Sequence, residues 1–315
     1  MSRFFQSRNN KLAYYLNGHL KRLYPKKLLT LDLEKLQKSI IDFDEEKMYE
    51  RVNYYNKIDR WFELDQKIER IEEISSGHGT YSLDLMEYTR FFPQNYQLGY
   101  LFGDITHVPE MPSVTKSRPV HNNNNSVLMK FDKVRHFYFV DDKIHFRNKK
   151  DKLIWRGAAH QQHRKDFLNQ YYDRSHLLDV GEFNKNPGDQ GAYKAPFVTI
   201  QEQLQSKFLL AIEGNDVATN TKWIMSSNSL CLMAKPKYET WFMEGALVPN
   251  YHYALVKEDY SNLEEVVNYY LDHPVEAEYI IQNANTYVKQ FKNKKAEDWL
   301  SLKVLEKYFY FSGQI

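Results

Sequence analysis

The chain has 315 residues, 42% of them hydrophobic and 15% aromatic, enough to bury the cores of two ordinary domains. Lys and Arg number 43 against 41 Asp and Glu, a formal net charge of +2, which excludes nucleic-acid binding driven by overall charge. No run reaches the roughly 18 to 20 apolar residues of a membrane helix, and one cysteine, Cys231, cannot form an internal disulfide, which fits a reducing compartment.

The first 27 residues lack the apolar core of a signal peptide. They are basic and aromatic, with Arg3, Arg8, Lys11, Lys21, Arg22, Lys26 and Lys27 among Phe4, Phe5, Tyr14, Tyr15 and Tyr24. That composition suits either peripheral contact with an anionic membrane or a solvated helix face packed on its own domain. Leu12, Tyr15, Leu16 and Leu20 recur at helical spacing until Pro25. From Lys35 to Ile74 apolar residues recur every three or four positions, including Tyr54, Ile58, Trp61, Phe62, Leu64, Ile68 and Ile71, which predicts an amphipathic helical pair. Residues 75–80, SSGHGT, break it.

A first α/β region follows over 81–148. Tyr96 to Phe102 reads as a strand ending in Gly103-Asp104-Ile105-Thr106. A carboxylate just after a strand stands where α/β proteins place chemistry, although on the residues alone it is better suited to capping the next turn. Lys116, Arg118 and His121 form a local basic cluster, which reads as a surface loop or a site lining. Leu128 to Phe131 and His136 to Val140 read as strands. The basic, polar stretch Phe146 to Asp151 is a candidate domain junction.

Lys152 to Gly157 is a short strand ending in Arg156-Gly157, and a polar loop leads to Arg164-Lys165-Asp166 entering a helix. Two arginines at a strand end and a helix start suit a diphosphate, because guanidinium is always charged and forks onto phosphate. An ion pair for Arg156 and a solvated position for Arg164 are the plain alternatives. His160, His163 and Asp166 have metal-ligand spacing, but there is no H-E-x-x-H and no D-x-D set after a strand, so no metal is expected. Asp179 to Ala195 reads as a loop.

The stretch from Lys207 to Val256 organises the rest. Phe208 to Ile212 is an apolar strand, and Glu213-Gly214-Asn215-Asp216 is a polar turn. Val217 to Met225, with Asn220 and Lys222, is helix-like, and Ser229 to Met233 is a second strand. Strand, turn, helix and strand make a βαβ unit whose turn is neither G-x-G-x-x-G nor a P-loop. A loop rich in carboxylates and aromatics follows, with Glu239 and Glu244. Leu263 to Leu271, Pro274 to Gln290 and Ala296 to Phe309 read as helices. The 24 tyrosines suit either sugar faces or core and interface filling.

KFLLAIEG, EGNDVATNTKWIMSSNSLCLM and ETWFMEG resemble glycosyltransferase family 90, and most closely its bacterial lipopolysaccharide-type branch. The family also holds Rumi-type protein O-glucosyltransferases and fungal capsule xylosyltransferases. The resemblance implies a catalytic Asp in the first domain. Asp104 in GDITHVPEMP matches it with the proline displaced to Pro109, and His107 and Glu110 compete with it. The family pattern of R-G, a second arginine and an Asp is met by Arg156, Gly157, Arg164 and a shifted Asp166. Ala158, Ala159 and His160 replace the family's small hydroxyl residues. Bacterial members carry a similar K-S-R-P, which favours Lys116 and Arg118 as site lining. Family members often carry arginine at the position of Asn220, so Lys222 would supply that charge.

The expected architecture is therefore α/β and GT-B-like, with two Rossmann-type domains and a helical N-terminal extension. Residues 1–150 would bind acceptor, 151–295 would bind the nucleotide sugar, and a C-terminal helix, 296–315, would return to the first domain. The expected activity is inverting, metal-independent transfer from a nucleotide sugar, UDP-linked, to a glycan or lipooligosaccharide hydroxyl in the cytoplasm. No cofactor beyond the donor and no nucleic acid is expected. Donor contacts would come from Arg156, Gly157, Arg164, Glu213, Gly214, Asn215, Asp216, Asn220 and Lys222. Lys116, Arg118, His121, Glu239 and Glu244 would line the cleft, with Asp104 as base. A nucleic-acid or membrane-surface binding module and a metal-dependent nucleotide hydrolase stay open as alternatives.

Overall fold

The computed structural model describes residues 11–22, 43–75, 77, 79–184 and 191–315. Helix α1 spans Lys11–Arg22, α2 Glu45–Tyr55 and α3 Thr80–Thr89. Asp44 caps α2 by accepting from the Lys47 amide, and Glu45 and Glu46 favour its positive end. Met48, Val52 and Tyr55 form its buried stripe. The helical pattern predicted as far as Ile74 breaks at Asn56. That side chain turns the backbone, accepting from the Ile58 amide at 3.0 Å and donating to the Val304 carbonyl at 3.0 Å. Residues 56–70 are irregular, so their three-to-four periodicity reflects intermittent contact with the core rather than a helix.

Strands β1 (Tyr100–Leu101), β2 (Ser113–Thr115) and β4 (Ser126–Leu128) form a parallel sheet in the order β1-β2-β4. Strand β3 (Ser117–Pro119) pairs antiparallel with β9 (Tyr238–Thr240). The strand predicted over Tyr96–Phe102 is two residues long. The strand predicted over His136–Val140 is absent. Helix α4 (Lys133–His136) overlaps its start, and the Val140 amide donates to the Ser226 side chain at 2.9 Å instead of joining a ladder.

The second sheet is built from β5 (Lys150–Gly157), β6 (Leu178–Glu182), β7 (Ser206–Ala211), β8 (Leu230–Met233) and β10 (Ala254–Leu255). All five are parallel, in the order β10-β8-β7-β5-β6. Between them run α5 (Gln162–Tyr171), α6 (Ile200–Gln203) and α7 (Thr221–Met225), followed by α8 (Leu263–Asp272) and α9 (Pro274–Lys289). The continuous apolar runs are those of strands covered on both faces. Leu153, Phe208, Leu210, Leu230 and Leu232 are sealed in one core. Asp179, predicted in a loop, lies in β6, because Val180 and its neighbours extend the sheet at its edge. Within the predicted helix Val217–Met225 only α7 is helical, and Val217 and Ala218 are buried in the turn before it.

The chain divides into two compact units. One comprises His136–Pro236 and Ala246–Gln290 and holds the five-stranded sheet. The other comprises Asn9–Arg135, Lys237–Gly245 and Phe291–Ile315. The first crossing falls before residue 150 because Phe146 is buried in the core of the five-stranded sheet, edge-on to Phe208. Helix α10 (Lys294–Phe311) belongs to the second unit. There Glu297 accepts from Arg51, Lys130 and Trp241, each at 2.7 Å.

Among the described residues, no helix is long and apolar enough to cross a membrane. Cys231 lies buried in β8, and burial pushes its thiol well above the usual range. The folded protein should therefore resist maleimide at pH 8 and label only once denaturant opens the sheet, as read by intact mass.

Candidate functional site

In the five-stranded sheet the strand order reverses between β5 and β7. The crevice at the carboxyl ends of two such strands is where open α/β sheets bind ligands. Strand β5 ends there in Arg156-Gly157, and β7 runs out into Ile212-Glu213-Gly214. Gly157 is required by close packing, since a Cβ would stand 2.7 Å from the Trp155 ring.

Arg164, in the first turn of α5, joins the two strand ends. Its guanidinium donates to the carbonyls of Ala158 at 2.9 Å, Ile212 at 2.7 Å and Glu213 at 2.9 Å. It also lies over the Trp155 ring at 5.7 Å. Burial lowers its pKa, the direction desolvation imposes on a cation. His163 contacts the Glu213 carbonyl at 2.9 Å, and Gln161 donates to Asn215 at 2.8 Å. The Gly214 amide bonds the Asp216 carbonyl, which closes the turn.

The N-terminus of α5 has no side-chain cap and no acidic residue in its first turn. Its positive end, with the amides of Gln162 and His163, is thus available to an anion. The buried Gln161 Oε1 beside it has no hydrogen-bond partner among the described residues. Gln161 was not singled out by the sequence, because one glutamine in a polar loop carries no spacing signal.

The two arginines do not present open forks. Arg156 donates to Asp179 Oδ1 at 2.6 Å, to the Asp179 carbonyl at 2.8 Å, to the Trp155 carbonyl at 3.0 Å and to the Pro196 carbonyl at 3.2 Å. It braces β5 against β6, and Arg164 braces β5 against β7, so both shape the walls of the crevice. Asn220 donates to the Leu210 carbonyl at 2.9 Å. Lys222, expected as a donor contact, is 0% exposed, with its ammonium 5.9 Å from the Phe137 ring. Asp216 is also buried. Gly157, Arg164, Glu213, Gly214 and Asn215 are therefore brought together, whereas Asp216 and Lys222 face the interior. His163 and Asp166, one a candidate metal ligand with the other, are bound to the Glu213 carbonyl and to Gln162.

Arg164→Lys should lower the melting temperature by several degrees, because one ammonium cannot hold three carbonyls in the guanidinium geometry. If the crevice takes a diphosphate, the same change should weaken that binding about tenfold, by letting the two strand ends move apart. Calorimetry and thermal melting check the two effects separately.

In the other unit, Asp104 follows β1 after Gly103, whose φ of +113° few other residues adopt. Asp104 pairs with Lys116 and lies 3.8 Å from Arg135. Its side chain is 26% exposed, whereas that of Lys116 is 2% exposed. Ser117 pins the loop by donating to the Ile105 carbonyl at 2.9 Å. His107 and Glu110 are exposed.

Arg118, Glu239 and Glu244 do not line a cleft. Arg118 is 0% and Glu239 1% exposed. Arg118 donates to Glu239 at 2.7 Å and to the carbonyls of Tyr54, Tyr55 and Ser126. Glu239 also accepts from Tyr54 and Asn123. Glu244 is buried and accepts from the Thr240 amide at 2.6 Å and from its hydroxyl. These groups satisfy one another inside the core, so the K-S-R-P arginine is a structural brace. His121 is exposed.

Comparison with known proteins gives two findings. Residues 130–311 match the description Glycosyl transferase family 90. The chain is 40% identical over 306 residues to the O-glucosyltransferase LpsA of Dichelobacter nodosus, over 95% of each protein.

Proposed function

The chain belongs to glycosyl transferase family 90, and from this we propose that it transfers glucose from UDP-glucose to a hydroxyl of a glycan acceptor such as a lipooligosaccharide. The glucosyl group and the glycan are suggested by the relative's name and by the family resemblance. The transfer is inverting, needs no metal and takes place in the cytoplasm. Labour is divided in the GT-B-like manner, with donor binding in the unit of the five-stranded sheet and the base in the other.

The observation that carries the donor assignment is the crevice at the β5–β7 reversal, with the uncapped, acid-free start of α5 beside it. The diphosphate would lie against the amides of Gln162 and His163. Gln161 Oε1 would accept from a donor hydroxyl. Asp104 would take the proton of the acceptor hydroxyl as its oxygen bonds the anomeric carbon. The bond from that carbon to the diphosphate oxygen breaks, and UDP leaves with the electron pair.

Thermal shift against UDP, GDP and CMP comes first. A nucleotide at 100 times its Kd should stabilise the fold by about 2.7 kcal/mol. Transfer from UDP-glucose is then followed by NMR, which reads a β-linked product, with EDTA leaving the rate unchanged. No stabilisation by UDP and no transfer would remove the assignment. EDTA-sensitive release of a nucleoside monophosphate would replace it with a hydrolase.

A further inference from the structure

Helix α1 is amphipathic in the opposite sense to a helix that only packs on its own domain. At 100° per residue, Tyr14 and Gly18 lie on one side and Leu12, Leu16 and Leu20 on the other. The Tyr14 and Gly18 side meets α3. Tyr14 donates to the Thr80 carbonyl at 3.3 Å and to the buried carboxylate of Asp84, and a Cβ on Gly18 would stand 3.2 Å from Leu83. The three leucines are left outside, exposed by 70%, 56% and 61%. A helix anchored by polar bonds and a glycine, with a leucine row facing water, has an apolar face without a partner among the described residues.

Charge says what covers it. Residues 1–27 carry seven Lys and Arg and no Asp or Glu, while the remaining residues carry 36 basic and 41 acidic groups. The small net charge of the chain therefore hides a strongly cationic stretch of sequence that includes α1 and a net anionic remainder. We propose that the leucine face of α1 docks on an anionic phospholipid surface, with the helix lying in the plane of the headgroups. Apolar side chains enter the acyl boundary, and the positive charge carried by the sequence of residues 1–27 favours an anionic headgroup surface. Nucleic acid would use the charge and leave the leucines wet. A second copy would cover the leucines and set two cationic segments against each other. Only the lipid surface satisfies both features. This docking is separate from the transfer chemistry.

The test uses the full chain and sedimentation with vesicles of phosphatidylethanolamine and phosphatidylglycerol. Wild type should bind these vesicles and leave phosphatidylcholine vesicles in the supernatant. Raising NaCl from about 0.1 to 0.5 M should weaken binding at least about tenfold. The triple variant Leu12→Gln, Leu16→Gln, Leu20→Gln should bind at least about tenfold more weakly, with unchanged circular dichroism and melting temperature. A single Leu16→Asp variant gives a second reading if the triple variant does not fold. Transfer to a soluble acceptor should be unaffected in both, so absence of transfer in wild type bears on the proposed function and not on docking. The proposal is overturned if wild type ignores the anionic vesicles, if it binds phosphatidylcholine equally, or if the folded triple variant binds as wild type does. It is also overturned if a DNA duplex competes the protein off the vesicles at equal charge concentration. Light scattering that shows a dimer abolished by the triple substitution would assign the face to self-association and overturn it as well.

Discussion

Asp104→Asn should lower turnover by roughly 10²- to 10⁴-fold, the contribution of a positioned general base. The substitution keeps the shape of the side chain and removes its basicity. It also has a structural consequence, because Lys116 beside it is nearly sealed from solvent. Breaking a fully buried pair costs about 3–5 kcal/mol. Asp104 is about a quarter exposed, so the cost here should be smaller and the melting temperature should fall modestly. The double variant Asp104→Asn, Lys116→Met separates the two roles. It should regain part of the lost stability, since no buried ammonium remains, and it should not regain turnover. Steady-state kinetics with UDP-glucose and melting curves on the three proteins decide the matter. Turnover preserved in Asp104→Asn would move the base to His107 or Glu110, both exposed.

Arg118→Met should destabilise the protein by about 3–5 kcal/mol, because the sealed Glu239 carboxylate loses its cation. At roughly 2–4 °C per kcal/mol for a large domain, the melting temperature should drop by about 6 to 20 °C. Arg118→Met, Glu239→Leu should recover much of that loss, since replacing both partners leaves no charge buried alone. UDP affinity of the folded fraction should be unchanged in both, as read by calorimetry. A variant that melts as wild type does but loses transfer would return Arg118 to the acceptor site.

These two residues show how differently sequence and structure bear on the site. Asp104 and Arg118 stand 14 positions apart, and each is a candidate from its local setting, a strand end and a basic cluster, with the resemblance added to it. The sequence holds no information on whether a charged side chain points into solvent or into a core, because that depends on partners distant in the chain. Arg118 turns inward because Glu239, from a returning segment, pairs with it across β3 and β9. Arg156 is braced by Asp179 of the neighbouring strand, and Arg164 by carbonyls at the end of β7. Lys222 is enclosed although its helix looks polar at that position.

The sequence by itself determined the βαβ unit, the long helices near the C-terminus and the family. Each depends on local periodicity or on a contiguous motif, and nearest-neighbour chemistry fixes these before the chain closes on itself. Leu263–Asp272, Pro274–Lys289 and Lys294–Phe311 fall within a few residues of their predicted helices. Only the tertiary structure decided where β5 meets β7, which arginines are braces, that Gln161 Oε1 has no partner among the described residues, and that the leucines of α1 face outward. Strand order, burial and the sharing of hydrogen bonds are set by contacts between residues far apart in sequence, and no spacing along the chain encodes them.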